Sequence, residues 1–127
     1  MSRAYTHSQA GSLTTRLPAF IIISIFTRMN LIPNHLINLI PELYDTEDNG
    51  DPTVWVKLFF PDFHWTWYIT EYDGEDLCYG LVAGPEAELG YFRLSELQAA
   101  RGKFGCCIER DRSFTPRPLS EVVSMYA

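Results

Sequence analysis

The residues able to do chemistry in this chain include His35 and His64 of its three histidines, three cysteines and a run of acids, and their spacing decides what they can do. For a metal, the donors on offer are His35, His64, Cys78, Cys106 and Cys107 with neighbouring carboxylates. They form no C-x-x-C, no H-x-x-x-H and no cysteine–histidine pair at zinc-finger spacing. Buried cysteines of this kind behave as small hydrophobes. A Cys78 or Cys106 thiolate paired with His64 would make a nucleophile, but no local signature accompanies either. Gly102-Lys103-Phe104-Gly105 has neither the spacing nor the Ser/Thr of a phosphate loop. The expectation is no catalytic residue, no metal and no cofactor.

Residues 62–88 hold seven acids (Asp62, Glu71, Asp73, Glu75, Asp76, Glu86, Glu88) and no Lys or Arg. A paired-carboxylate hydrolase would need two of them fixed several ångströms apart in a cleft. Asp73, Glu75 and Asp76 instead fall in a turn, where solvated carboxylates are normal, and the longer calcium-loop pattern is missing. Glu109-Arg110-Asp111-Arg112 alternates charge as an intramolecular ion-pair network does. What remains is aromatic surface beside negative charge, since Trp55, Trp65, Trp67, Tyr68, Tyr72 and Tyr79 fall on adjacent strands. The candidate interaction surface is Trp65, Tyr68, Tyr72, Asp73, Glu75, Asp76 and Tyr79, a set suited to anchoring and steering a basic protein partner.

Composition narrows the classes. The chain has 127 residues, enough for one domain. Its 18 aromatics (three Trp, seven Tyr, eight Phe) supply much buried area for so short a chain. Net charge is −6, yet residues 1–28 carry Arg3, Arg16 and Arg28 with no acid, so the remainder carries −9. Phosphate backbones are bound by clustered Lys and Arg, so direct nucleic-acid binding is not expected. An odd number of cysteines, two of them adjacent, is no disulfide framework; free thiols fit a reducing compartment, and the cytoplasm is expected.

Residues 17–26 are an apolar run between Arg16 and Arg28, far short of the roughly 20 residues of a spanning helix. It resembles a signal peptide but ends in Thr27-Arg28-Met29-Asn30 with no small-x-small cleavage site. The expectation is that translation starts at Met29 and that residues 1–28 are an upstream extension, disordered or not native. A genuine anchor there would be the one route to a membrane.

From Met29 onward the elements can be read in order. Asn34 caps a short helix through Ile40, which Pro41 ends. Residues 45–52 are a polar loop. Strands are expected over residues 53–60, 65–72, 77–83, 89–94 and 105–111, with Asp73-Gly74 turning a hairpin. Hairpin parity places Trp67 and Ile69 beside Cys78, Gly80 and Val82, with Gly80 making room for a side chain. The other face gathers Tyr68, Thr70, Tyr72, Leu77, Tyr79 and Leu81. Ser95 opens a helix at capping-box distance from Gln98, and Pro118 starts a last helix carrying Leu119, Val122, Val123 and Tyr126. The sum is an α+β domain over residues 29–127, a mostly antiparallel sheet of about five strands with two or three short helices.

Several stretches resemble a bacterial family known as domain of unknown function 2958. They are Leu43-Tyr44-Asp45-Thr46-Glu47, the run from Trp65 to Asp76, Glu88-Leu89-Gly90-Tyr91-Phe92, Ser95-Glu96-Leu97, and Ile108-Glu109-Arg110-Asp111 with Phe114 and Pro116. The resemblance implies the setting of small accessory proteins of bacterial chromosomes, plasmids and mobile elements, and brings no reaction, cofactor or catalytic residue. The functional expectation is a non-catalytic accessory or protein-interaction module. The alternatives are a DNA mimic that inhibits a nuclease or restriction enzyme, and a small enzyme with an unrecognised site. Oligomeric state is not legible.

Overall fold

The computed structural model describes residues 30–126, so expectations for residues 1–28 lie outside the described residues. The first element is a single helical turn, α1 (Asn34–Ile37). Strands β1 (Thr53–Val54), β2 (Val56–Phe60), β3 (Trp65–Tyr72), β4 (Leu77–Ala83) and β5 (Ala87–Arg93) follow. Then come α2 (Leu94–Ala99), a 3-10 turn (Lys103–Gly105), β6 (Glu109–Arg110), β7 (Arg117–Pro118), α3 (Leu119–Val123) and a final 3-10 turn (Ser124–Tyr126). The main sheet has the order β5-β4-β3-β2-β6 and is antiparallel throughout, while β1 and β7 form a separate two-stranded ribbon. This is the expected α+β arrangement.

The long strands arise where β-branched and aromatic residues cluster, and each ends at a turn former: Pro61 after β2, Gly74 after β3, Gly84-Pro85 after β4. The pleat sends alternate side chains to two faces, and both faces are covered. The first core joins Val56, Leu58, Trp67, Ile69, Tyr72 and Cys78 to Leu31, Ile32 and Ile40 around α1, Leu94 and Leu97 of α2, and Ile108. The second joins Val54, Tyr68, Leu81 and Ala83 to Leu119 and Val122 of α3, with Phe114 packed alongside. Each fully buried aliphatic side chain contributes about 2 kcal/mol, so both layers are needed to hold so small a sheet.

Two irregularities shift the expected parity. Between Ile69 and Glu71 the β3–β4 register slips: Ile69 pairs with Gly80, but Glu71 pairs with Tyr79 and Tyr72 with Cys78. Two residues thus oppose one, a β-bulge that exchanges the faces beyond it. Tyr72 therefore joins Trp67, Ile69 and Cys78 in the first core instead of sharing a face with Tyr68. A similar break at Trp55, between β1 and β2, sends Val54 to the second core and Val56 to the first. Gly80 makes room for backbone and not for an indole: a Cβ there would lie 1.7 Å from the Tyr68 carbonyl oxygen.

Helix starts also differ from expectation. α2 has no side-chain cap of its own. Asp76 reaches across instead, one carboxylate oxygen accepting from Ser95 N at 2.7 Å and the other from Ser95 Oγ at 2.8 Å. α3 repeats the device, with Asp51 accepting from Ser120 N at 2.8 Å and Ser120 Oγ at 2.7 Å. Caps borrowed from distant loops pin helices of five and six residues that could not persist alone.

Candidate interaction site

The seven residues of the expected surface are distributed over three environments. Tyr68 is 1% exposed and Tyr72 8%, so neither offers a face to a partner. Tyr68 lies beneath Phe114 and Tyr126, its hydroxyl 2.6 Å from that of Tyr126, and burial together with that hydrogen bond raises its pKa. Burial pushes the Tyr72 hydroxyl up to about 12, with Cys78, Asp73, Asp76 and Glu75 adding in the same direction. Tyr79 is half-buried against Tyr91, ring centroids 4.7 Å apart.

Asp73 and Asp76 belong to the turn itself. Asp73 Oδ1 accepts from the amides of Glu75, Asp76 and Leu77 at 2.8, 2.8 and 3.0 Å. Asp76, besides capping α2, lies 3.7 Å from the Arg93 guanidinium. Glu75 is exposed. Nearby, Glu71 is fully buried and accepts from Tyr44 N at 2.9 Å, from Thr46 N at 3.1 Å and from the Thr46 hydroxyl. It anchors the 42–49 loop, in which Tyr44 takes a positive φ of 72°.

Trp65 stands at the other end of the hairpin. The connections on either side of it are tight: Trp65 N donates to Phe63 O at 2.8 Å, and Gly84 N to Glu86 O at 3.0 Å. The Trp65 ring lies over Gly84, where a Cβ would come within 2.6 Å of it. It stacks on Trp67 at 6.1 Å and 24°, and Phe63 meets Phe60 edge-on at 5.0 Å. Phe63 remains 48% exposed and Trp65 40%. Between them and α2 runs an apolar hollow of about 370 Å³ lined by Phe60, Phe63, Trp65, Trp67, Leu97 and Ile108, with Glu96 at its edge. A second hollow of about 310 Å³ lies on the far side of Trp65, bordered by Val82, Pro85, Glu86 and Glu88. Exposed rings with acids beside them are therefore present, at the opposite end of the hairpin from Asp73.

Over residues 28–127 the sequence matches the family described as protein of unknown function, DUF2958. The chain belongs to the DUF2958 family. No curated protein and no solved structure matches it.

In this DUF2958 domain the surroundings of two of the three thiols, Cys78 and Cys106, favour the protonated form. Burial raises the Cys78 pKa well above its usual range, and Asp73 and Asp76 push it the same way. A hydrogen bond with Asp62 raises that of Cys106, and a thiol held protonated is neither nucleophile nor metal ligand. His64 is exposed in the 61–64 turn. Among the described residues no three of His, Cys, Asp and Glu are gathered as metal ligands would be, and no helix is long and apolar enough to cross a membrane. Sequence reasoning named Trp65 but missed Phe63, Glu86, Glu88 and Glu96 as its neighbours. The signal was there in part: Phe63 lies in a turn between two strands, where a large ring has no core to enter.

Proposed function

We propose that this DUF2958 domain is a non-catalytic accessory protein that docks a basic protein segment on the ledge formed by Phe63 and Trp65. The observation that carries the reading is two exposed rings beside an apolar hollow, with Glu86, Glu88 and Glu96 around them making no hydrogen bond or ion pair through their side chains with the described residues. Rings of this kind are the anchors of protein interfaces, and unpaired acids at the rim steer a cationic partner and exclude an anionic one. Free thiols at Cys78, Cys106 and Cys107 support a cytoplasmic setting.

The DNA-mimic alternative draws less support, because mimicry needs acids free and in a row. Here Asp45, Asp51, Glu71, Asp73, Asp76 and Asp111 accept hydrogen bonds from the protein's own groups. The enzyme alternative draws no support from a metal centre, since no group of His, Cys, Asp and Glu is gathered to hold one among the described residues. The deciding experiment is affinity capture with the full tagged chain, wild type beside Trp65→Ala, washed at low and at high salt. A basic protein held by the wild type, lost with the variant and weakened by salt supports the reading. Identical captures with both chains overturn it.

A further inference from the structure

A further hollow lies at the far end of β2 from the ledge, and its charge is opposite to that of the domain. It holds about 430 Å³ between Pro33 and Leu36 of the α1 turn, the Trp55–Lys57 segment and the loop through residues 110–116. Residues 29–127 contain seven Lys and Arg, ten in the chain less the three before Met29, against sixteen acids. Three of those seven, Lys57, Arg110 and Arg112, line this one hollow together with His35, and Asp111 is its one acid. The lining is thus +2 with His35 neutral, in a domain of −9.

The groups differ in how far they are already engaged. Lys57 pairs with Asp111 at 3.4 Å, and Asp111 also accepts from Ser113 N and Oγ. Those contacts lower the Asp111 pKa, so it stays charged and fixes the lysine. One Arg110 nitrogen donates to the Asn30 carbonyl at 2.7 Å, a contact that holds the guanidinium in place without neutralising it. Arg112 is exposed and makes no ion pair with the described residues. The indole nitrogen of Trp55 is buried out of reach of solvent, so Trp55 enters the hollow only as part of its wall. Leu36, Trp55, Phe114 and Pro116 give the hollow apolar walls.

We propose that this hollow is a binding site for a small organic phosphate. Its size is that of small-molecule sites, with apolar walls and a few convergent polar groups. A lining of +2 matches a phosphate monoester, which carries roughly −1.5 to −2 near neutral pH. Arg112 and Lys57 supply charge-assisted hydrogen bonds to the phosphate, and the walls take the organic part. This site is independent of the ledge, and either can fail without the other.

The test is isothermal titration of the full chain with adenosine 5′-monophosphate and with glycerol 3-phosphate, using adenosine and glycerol as unphosphorylated controls. Saturable binding of a phosphate ester and not of its control is expected. Loss of one charge-assisted bond should weaken it about tenfold in Arg112→Ala, whose side chain is exposed and holds no fold contact. Binding that adenosine or glycerol matches, binding unmoved by Arg112→Ala, or no saturation by either ester at millimolar concentration would overturn the proposal.

Discussion

The two ends of the β3–β4 hairpin carry similar residue types and use them in opposite ways. At the turn end, around residues 71–77, carboxylates meet backbone amides: Asp73 holds three, Asp76 starts α2 and Glu71 holds the 42–49 loop. At the open end, Glu86, Glu88 and Glu96 stand beside exposed rings and make no hydrogen bond or ion pair through their side chains with the described residues. Acid count per residue does not distinguish the two ends, but hydrogen-bond engagement does. A carboxylate committed to its own chain is a structural part; one with no such duty is available to a partner.

The largest effect should follow the most deeply engaged acid. Glu71→Ala removes a fully buried acceptor and strands the amides of Tyr44 and Thr46. We expect a loss of about 3 kcal/mol in urea unfolding, with faster amide exchange across the 42–49 loop. An unchanged midpoint would mean that the turn end does not depend on its carboxylates, and the contrast between the ends would collapse. Next is Asp73→Ala, which frees three amides in an exposed turn where water can replace the lost acceptor. The expected cost is about 1–2 kcal/mol, in line with the loss of a helix cap.

Asp73 and Glu71 also show where sequence reading succeeds and where it stops. The Asp-Gly turn, the five-stranded sheet and the breaks at Pro61 and Gly84-Pro85 were legible because propensity and turn chemistry act over a few neighbouring residues. The bulge at residues 69–71 was not, because it depends on how two strands settle against each other. One extra residue there moved Tyr72 to the opposite face from Tyr68 and into the first core, while Tyr68 is covered by the second. The caps from Asp51 and Asp76 were also hidden, since 69 and 19 residues separate each from the serine it holds. Of the expected surface, Trp65 was legible as an exposed ring; the acids that accompany it come from other segments that only the fold brings near.

Alkaline pH probes the turn end without any change of sequence. The Tyr72 pKa of about 12 lies above the ordinary 10.0, so the unfolded chain releases this proton first. Stability is fully present below pH 10 and falls as pH rises from 10 towards 12, where the folded state still binds the proton. Tyr68, shifted in the same direction, adds to the slope. Tyr72→Phe should be nearly as stable as wild type at neutral pH and should lose less stability between pH 10 and 12. Equal slopes for the two proteins would remove Tyr72 from the account.

The open end should behave in the reverse manner, with the smallest effect on stability. Trp65 is 40% exposed, and its replacement by Ala forfeits a stack on Trp67 and contact with Gly84 but leaves no buried polar group unmatched. The expected cost is about 1 kcal/mol, below that of either acid substitution at the turn end. Glu88→Lys should cost less still, since an exposed acid without a partner contributes little to folding. Binding should invert this order. If the ledge docks a basic segment, Trp65→Ala abolishes capture and Glu88→Lys weakens it most at low salt, where steering is strongest, while Asp73→Ala leaves capture intact in whatever fraction stays folded. Should Asp73→Ala and Trp65→Ala reduce capture in proportion to their loss of stability, the binding surface would have to be sought elsewhere on the domain.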